Sequence, residues 1–225
     1  MTQGGRLDAH LLDQEQHAAH GLAWLKVYVS ALHAMQDWAV RLRGQGRLGE
    51  REELIHRLAF AEYLARIAGG IPMNQVETVR PHDFGLGPRQ VEQYLAAPVR
   101  GLIEGATPER RQHLAELIHD GDFGDPGLSD DSLDMIRDQF RKFAEEEVKP
   151  FAHGWHERDE LIPLEVIEHL AGLGVFGLTI PEEFGGSGLS KEAMCIVTEE
   201  LSRGYIGVGS LGTRTEIAGE LIRRG

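Results

Sequence analysis

The 225 residues are 41% hydrophobic and 26% charged, with 28 glycines, nine prolines and one cysteine. These proportions suit one or two globular domains, and the glycines follow no period, which excludes a collagen-like or low-complexity chain. Net charge is −13, and it is uneven: residues 1–100 hold 11 basic and 11 acidic side chains, whereas 101–225 hold 12 and 25. An acidic surface with no run of basic residues disfavours nucleic acid and anionic membranes as partners. The single Cys195 has no partner for an intrachain disulfide, and the acids in MTQGGRLDAHLLDQEQ do not suit a signal peptide. The chain therefore reads as cytoplasmic. Its most apolar early window, from Gly21 to Met35, is cut by Lys26 and His33, far short of the ~20 residues a membrane span needs.

From Leu7 to about Leu42 there is no proline, and Trp24, Tyr28, Ala31, Met35 and Trp38 recur at three- and four-residue spacing. This predicts one long or twice-broken amphipathic helix. After GQGRLG a second helix is expected from Glu50 to Ala68, with Leu54, Leu58, Ala61 and Ala65 inward and Gly69-Gly70 as its stop. A connector with Pro72, Pro81 and Gly85 leads to helical runs from Pro88 to Leu102 and from Pro108 to Ile118. The segment HDGDFGDPGLS, dense in Gly, Asp and Pro, marks the best candidate boundary between two domains, 1–128 and 129–225.

Ser129 followed by two aspartates predicts a helix start, with Leu133, Ile136, Phe140 and Phe143 as its buried stripe and Lys149-Pro150 as its end. Pro163 opens another helix with Leu164, Ile167 and Leu170 or Ala171 inward. The short run VFGLTI is the one strand-like segment, and the loop PEEFGGSGLS follows it. Two last helices are expected, at about Lys191 to Leu201 and Gly207 to Arg224. The fold class is all-α.

Two stretches match G-x-G-x-x-G: Gly172, Gly174 and Gly177, then Gly207, Gly209 and Gly212. A dinucleotide site needs a strand running into the first glycine, and helical sequence precedes both, so they read as helix ends and close helix contacts. His10, Asp13, His17 and His20 share one side of a helix. A metal there would need ligands from elsewhere, and a solvated polar face is the plainer reading. Cys195, in AMCIVTEEL, reads as a small buried hydrophobe rather than a nucleophile. The run Glu145, Glu146 and Glu147 reads as a solvated face.

One helix needs closer projection. With Ser210 at zero and about 100° per residue, Ile217, Leu221, Arg214, Ala218, Leu211 and Ile222 all fall between about −20° and 120°. Arg214 thus lies in the middle of an apolar arc, with Ser210 one turn earlier. A guanidinium there should meet an anion or reach past the core to water.

The stretch from Ser129 to Gly225 resembles the N-terminal helical domain of the acyl-CoA dehydrogenases. The likeness rests on the helix ending EEEVKP, the block LAGLGVFGLTIPEEFGGSGL, and the helix EELSR with its glycine-spaced successor. The resemblance implies a flavoenzyme that oxidises the α,β bond of an acyl-CoA, with FAD as cofactor in the complete enzyme and an electron-transfer flavoprotein and a homo-oligomer as partners. In that family the flavin and the catalytic base belong to later domains, so the resemblance assigns no catalytic residue here and implies neither FAD nor activity for this chain alone. The helical stretch of about 128 residues ahead of the core resembles the family's methylsuccinyl-CoA-oxidising branch. On that implication Arg214, with Ser210, would bind the second carboxylate of a dicarboxylic acyl group. The alternative is a non-enzymatic helical interaction module derived from the same fold.

Overall fold

Helix-forming residues fill the chain between its glycine- and proline-rich breaks, and the computed structural model follows that division. It describes residues 2–3, 5–119, 121–128 and 130–224. Two compact units result, residues 1–127 and 128–225.

The first unit opens with a two-stranded antiparallel pair, β1 (Thr2–Gln3) and β2 (Arg6–Leu7). Helix α1 (Ala9–Gln14) is capped by Asp8, whose side chain accepts from the Leu11 amide at 3.0 Å. The long helix expected from the three-four spacing is α2 (Gln16–Gly44), separated from α1 by one break at Glu15. Helix α3 (Glu50–Gly69) ends at Gly70, whose φ of 139° is open to glycine alone. The connector beyond it forms an antiparallel hairpin, β3 (Ile71–Pro72) with β4 (Thr78–Val79), in the register Ile71 to Val79. Asn74 Oδ1 accepts from the amides of Val76 and Glu77 and closes the turn.

Ile71, Met73 and Val79 bury with Tyr28 to form the unit's core. Val79 packs so closely on Gly21 of α2 that any Cβ there would overlap it. The run from Pro88 is two helices, α4 (Pro88–Tyr94) and α5 (Ala97–Glu104). Pro98 has no N–H to donate, so the chain breaks at Leu95–Ala96 and restarts with the proline in a first turn. Helix α6 (Pro108–Ile118) is capped by Thr107. Buried Glu52 accepts from the amides of Gly49 and Asp125, both at 3.0 Å, which fixes the segment after α6 to the start of α3.

In the second unit, Asp130 caps α7 (Asp131–Phe143) through the amides of Ser132 and Leu133. Ser129, the expected cap, lies outside the described residues. Lys149-Pro150 does not end this helical stretch. A π-turn over Ala144–Val148 shifts the hydrogen-bond register, and α8 (Lys149–Glu157) begins with Pro150 in its first turn, where a missing N–H is harmless. Val148 is fully buried at this junction.

In α9 (Leu164–Gly172) Leu170 is fully buried, as the spacing predicted, and Ile167 is half-buried; Val166 packs against the same core, whereas Leu164 is exposed rather than inward. VFGLTI is not a strand. Val175–Gly177 forms a 3₁₀ turn after Gly174 (φ 79°), and Val175 and Leu178 bury in the helical core. Helices α10 (Lys191–Gly204) and α11 (Ile206–Arg224) complete the unit. Cys195 is exposed rather than buried, because Ala193, Ile196, Val197, Glu200 and Leu201 form the inward face of α10 and Cys195 projects to the other side.

Candidate functional site

Helix α11 follows α10 with a single extended residue, Tyr205, between them. The two helices approach closely because Gly209 faces Ser202: a Cβ there would overlap the Ser202 hydroxyl and lie 2.8 Å from its amide nitrogen. Gly212 meets Val175 in the same way, at 2.9 Å. With Ser210 again at zero, the inward residues Val208, Gly212, Glu216 and Gly209 fall between about 160° and 260°. That is opposite the apolar arc.

Most of the apolar arc therefore faces outward, while Leu211 at its edge packs against the core. Ile217 is 61% exposed and Leu221 69%. Arg214 stands exposed among them, with no hydrogen bond or ion pair to any described residue. Ser210 is half-buried and its hydroxyl donates to the Gly207 carbonyl at 2.9 Å. The two candidates thus share one helix face, but Ser210 is held by its own backbone and Arg214 reaches into solvent.

A groove of about 730 Å³ lies elsewhere on the unit, between the last turns of α11 and the segment Thr179–Leu189. Ile180, Pro181, Phe184 and Ile222 supply its apolar walls. Glu216 forms its floor and is 4% exposed. Its carboxylate accepts from the Thr179 amide at 3.0 Å and from the Thr179 hydroxyl. Lys191 Nζ donates to the same hydroxyl oxygen at 3.2 Å and stands 3.7 Å from both Glu216 and Glu220. Arg223 is bound in turn by Glu220. A buried carboxylate with both oxygens engaged is a fixing point for the loop rather than a free base.

Hydrophobic spacing does not single out Glu216. One signal was available: its helix neighbours at three and four residues are Thr213, Gly212, Gly219 and Glu220, none a cation, so a partner had to come from outside the helix. A second buried carboxylate, Glu200 at 2% exposure, takes two bonds from the Arg141 guanidinium, at 2.7 and 3.0 Å, and locks α7 to α10.

Neither glycine pattern builds a phosphate cradle. Gly207, Gly209 and Gly212 lie inside α11, and Gly172 and Gly174 lead from a helix into a 3₁₀ turn, with no strand before either. Neither pattern therefore forms the strand–turn–helix that a Rossmann-type dinucleotide site needs. Of the histidines weighed for metal, His10 bonds Gln14, His20 accepts from Trp24, and His17 stands 3.5–3.6 Å from Asp83 and Glu77. Asp13 accepts from Gln16. Among the described residues no group of three or more His, Cys, Asp or Glu is arranged to hold a metal ion, and no helix is long and apolar enough to cross a membrane.

Residues 130–225 match the family model described as acyl-CoA dehydrogenase, N-terminal domain. The chain is 57% identical over 230 residues to (2S)-methylsuccinyl-CoA dehydrogenase of Cereibacter sphaeroides, a match covering 99% of this chain and 40% of that relative. It is 38% identical over 74 residues to glutaryl-CoA dehydrogenase of Desulfococcus multivorans, covering 32% of this chain and 19% of the relative. The human mitochondrial short-chain specific acyl-CoA dehydrogenase is 37% identical over 75 residues, 33% of this chain and 18% of the relative. This chain thus spans about two fifths of the first relative's length.

Proposed function

The chain belongs to the acyl-CoA dehydrogenase family, and we propose that it is the N-terminal part of an enzyme that oxidises the α,β bond of methylsuccinyl-CoA. The observation that supports the substrate is the extent of the 57% identity, which runs through both units, whereas the glutaryl-CoA and short-chain relatives match only a third of the chain. FAD, implied for the complete enzyme, supplies the two-electron oxidation when bound, and an electron-transfer flavoprotein is the proposed acceptor. In the family that the chain resembles, the flavin and the catalytic base belong to later domains, so the chain alone is proposed to be inactive and colourless. The complete enzyme is proposed to be a cytoplasmic homo-oligomer.

Within this reading the second unit contributes shape and charge. Arg214 stands without a partner on an apolar helix face. A planar guanidinium so placed can bind a carboxylate through two parallel hydrogen bonds. We assign it to the second carboxylate of the methylsuccinyl group, with Ser210 adding a hydrogen bond once its hydroxyl turns from Gly207.

The test is the complete protein assayed with an artificial electron acceptor against methylsuccinyl-CoA, butyryl-CoA and glutaryl-CoA. Methylsuccinyl-CoA should give the highest kcat/KM and bleach the flavin absorbance. Faster turnover of a straight-chain thioester would remove the specificity and leave the family.

A further inference from the structure

Helix α6 is seated on α3 from outside the core of the first unit. None of its residues is fully buried, and among the described residues no α6 side chain belongs to the core around Tyr28, Ile71, Met73 and Val79. Leu114, Leu117 and Ile118 are half-buried, so apolar burial contributes only part of what holds the helix down. Two charged pins join it to α3: Arg111 donates to Glu62 at 2.8 Å, and His113 Nε2 stands 3.0 Å from a Glu50 oxygen. Residues two apart on a helix point about 200° from one another, and the stretch of α3 from Glu50 to Glu62 spans about 18 Å at the helical rise. The pins therefore leave α6 on opposite sides and reach α3 at well-separated points. With one pin broken, the other remains as a pivot.

Only one of the pins titrates near neutrality. A guanidinium keeps its charge at every physiological pH, whereas an imidazole ordinarily changes charge near pH ~6.5. Both ring nitrogens of His113 face acids: Nε2 faces Glu50 at the start of α3, and Nδ1 stands 3.8 Å from Glu116 on its own helix. The imidazolium has an N–H for each carboxylate. The neutral ring has a single N–H and turns a lone pair toward the other acid. Arg51, the cation next to Glu50 in the chain, is taken by Asp122, and among the described residues no cation acts on the ring. The Glu50 hydrogen bond, with the charges of Glu50 and Glu116 behind it, holds the imidazole above its ordinary range against desolvation. The pin is therefore complete below pH 6.5 and is lost as pH rises through the value of the seated helix.

We propose that α6 is a proton-gated flap of the first unit, seated on α3 while His113 is an imidazolium and lifting about the Arg111–Glu62 pin as that ring loses its proton. Lifting exposes more of Leu114, Leu117 and Ile118, so pH near neutrality sets how often this apolar face meets solvent.

Amide hydrogen exchange of the full chain, measured at pH 6 and pH 8 and corrected for the intrinsic pH dependence of exchange, tests this. The open population reported by the amides of residues 112–118 should rise about two- to fivefold between the two, the range for one exposed ion pair, while the amides of α2 from Tyr28 to Leu42 keep their protection. His113→Gln and Glu50→Gln should each open at pH 6 as far as the parent does at pH 8 and lose the pH dependence. His113→Lys, charged at both pH values, should stay at the low-pH level throughout. Arg111→Gln should raise opening at both pH values and leave their ratio unchanged. Equal opening of α6 at pH 6 and pH 8, a pH dependence that survives in His113→Gln, or a parallel loss of protection in α2 that marks loosening of the whole unit would each overturn the proposal.

Discussion

Replacing Glu216 measures how firmly α11 is tied to the loop that forms the groove of the second unit. The carboxylate is 4% exposed, accepts twice from Thr179, and has Lys191 at 3.7 Å. A hydrogen bond to a charged group contributes about 1.5–3 kcal/mol net, and two bonds from one residue are not additive. The Lys191 side chain is 53% exposed, so its ion pair contributes at most about 1 kcal/mol. Glu216→Ala removes both acceptors and leaves the half-buried Thr179 amide unpartnered, so it should lower the unfolding free energy by about 2–4 kcal/mol.

Glu216→Gln keeps the volume and one acceptor but turns an NH₂ toward a donor. It should cost about 1–2 kcal/mol, and Lys191→Met no more than about 1 kcal/mol. Urea unfolding of the full chain followed by circular dichroism gives these values, each compared at equal m so that a stability change is separated from a change in compactness. Both Glu216 variants should also be nicked faster between Ile180 and Leu189 by a protease. Glu216 variants within about 0.5 kcal/mol of the parent, or a Lys191→Met loss equal to that of Glu216→Ala, would refute the assignment of the tie to the Thr179 bonds.

Gly209→Ala places a methyl group against the Ser202 hydroxyl and 2.8 Å from its amide; an overpacking cost of about 1–3 kcal/mol is expected, read as a lowered urea midpoint. The His56 pKa is lowered from 6.5, chiefly by burial; its contribution to stability is therefore complete above pH 6.5 and declines as pH falls through 6.5 toward the folded-state value. His56→Gln should flatten that decline. His113, raised from 6.5 chiefly by its hydrogen bond to Glu50, acts in the opposite sense, since its contribution is complete below pH 6.5 and is lost as pH rises through the folded-state value. His113→Gln should leave the acid limb steeper, and stability curves measured from pH 5 to 8 check both. In the complete enzyme, Arg214→Met should lower kcat/KM for methylsuccinyl-CoA by roughly 30- to 700-fold, or about 2–4 kcal/mol, while sparing a neutral acyl-CoA of equal length. Equal losses on the two would return Arg214 to a structural role.

Much of this protein is local and can be read from residue order. The ends of α3 and α6 follow from Gly70 and from Thr107 with Pro108, because a cap or a break depends on backbone chemistry within a few residues. The block around Ile180–Leu189 carries the family resemblance for a similar reason: its glycines hold a chain path that few other residues permit, such as Gly185 at φ 81° and Gly188 at 61°. The inward faces of α10 and α11 are different. Hydrophobic periodicity assigns a helix's core side by its large apolar residues, yet α11 turns Gly209, Gly212 and Glu216 inward and Ile217, Leu221 and Ile222 outward. Close approach to Ser202 and Val175 needs the absence of side chains, and a glycine adds nothing to an apolar arc. Cys195 is exposed because Ala193, Ile196, Val197 and Leu201 take the inward face of α10, and Arg214 stands free among the outward apolar residues of α11. Which carboxylates were buried also depended on donors far along the chain, Thr179 for Glu216 and Arg141 for Glu200. Pairings across 37 and 59 residues arise only when the helices are packed, and local spacing contains no term for them.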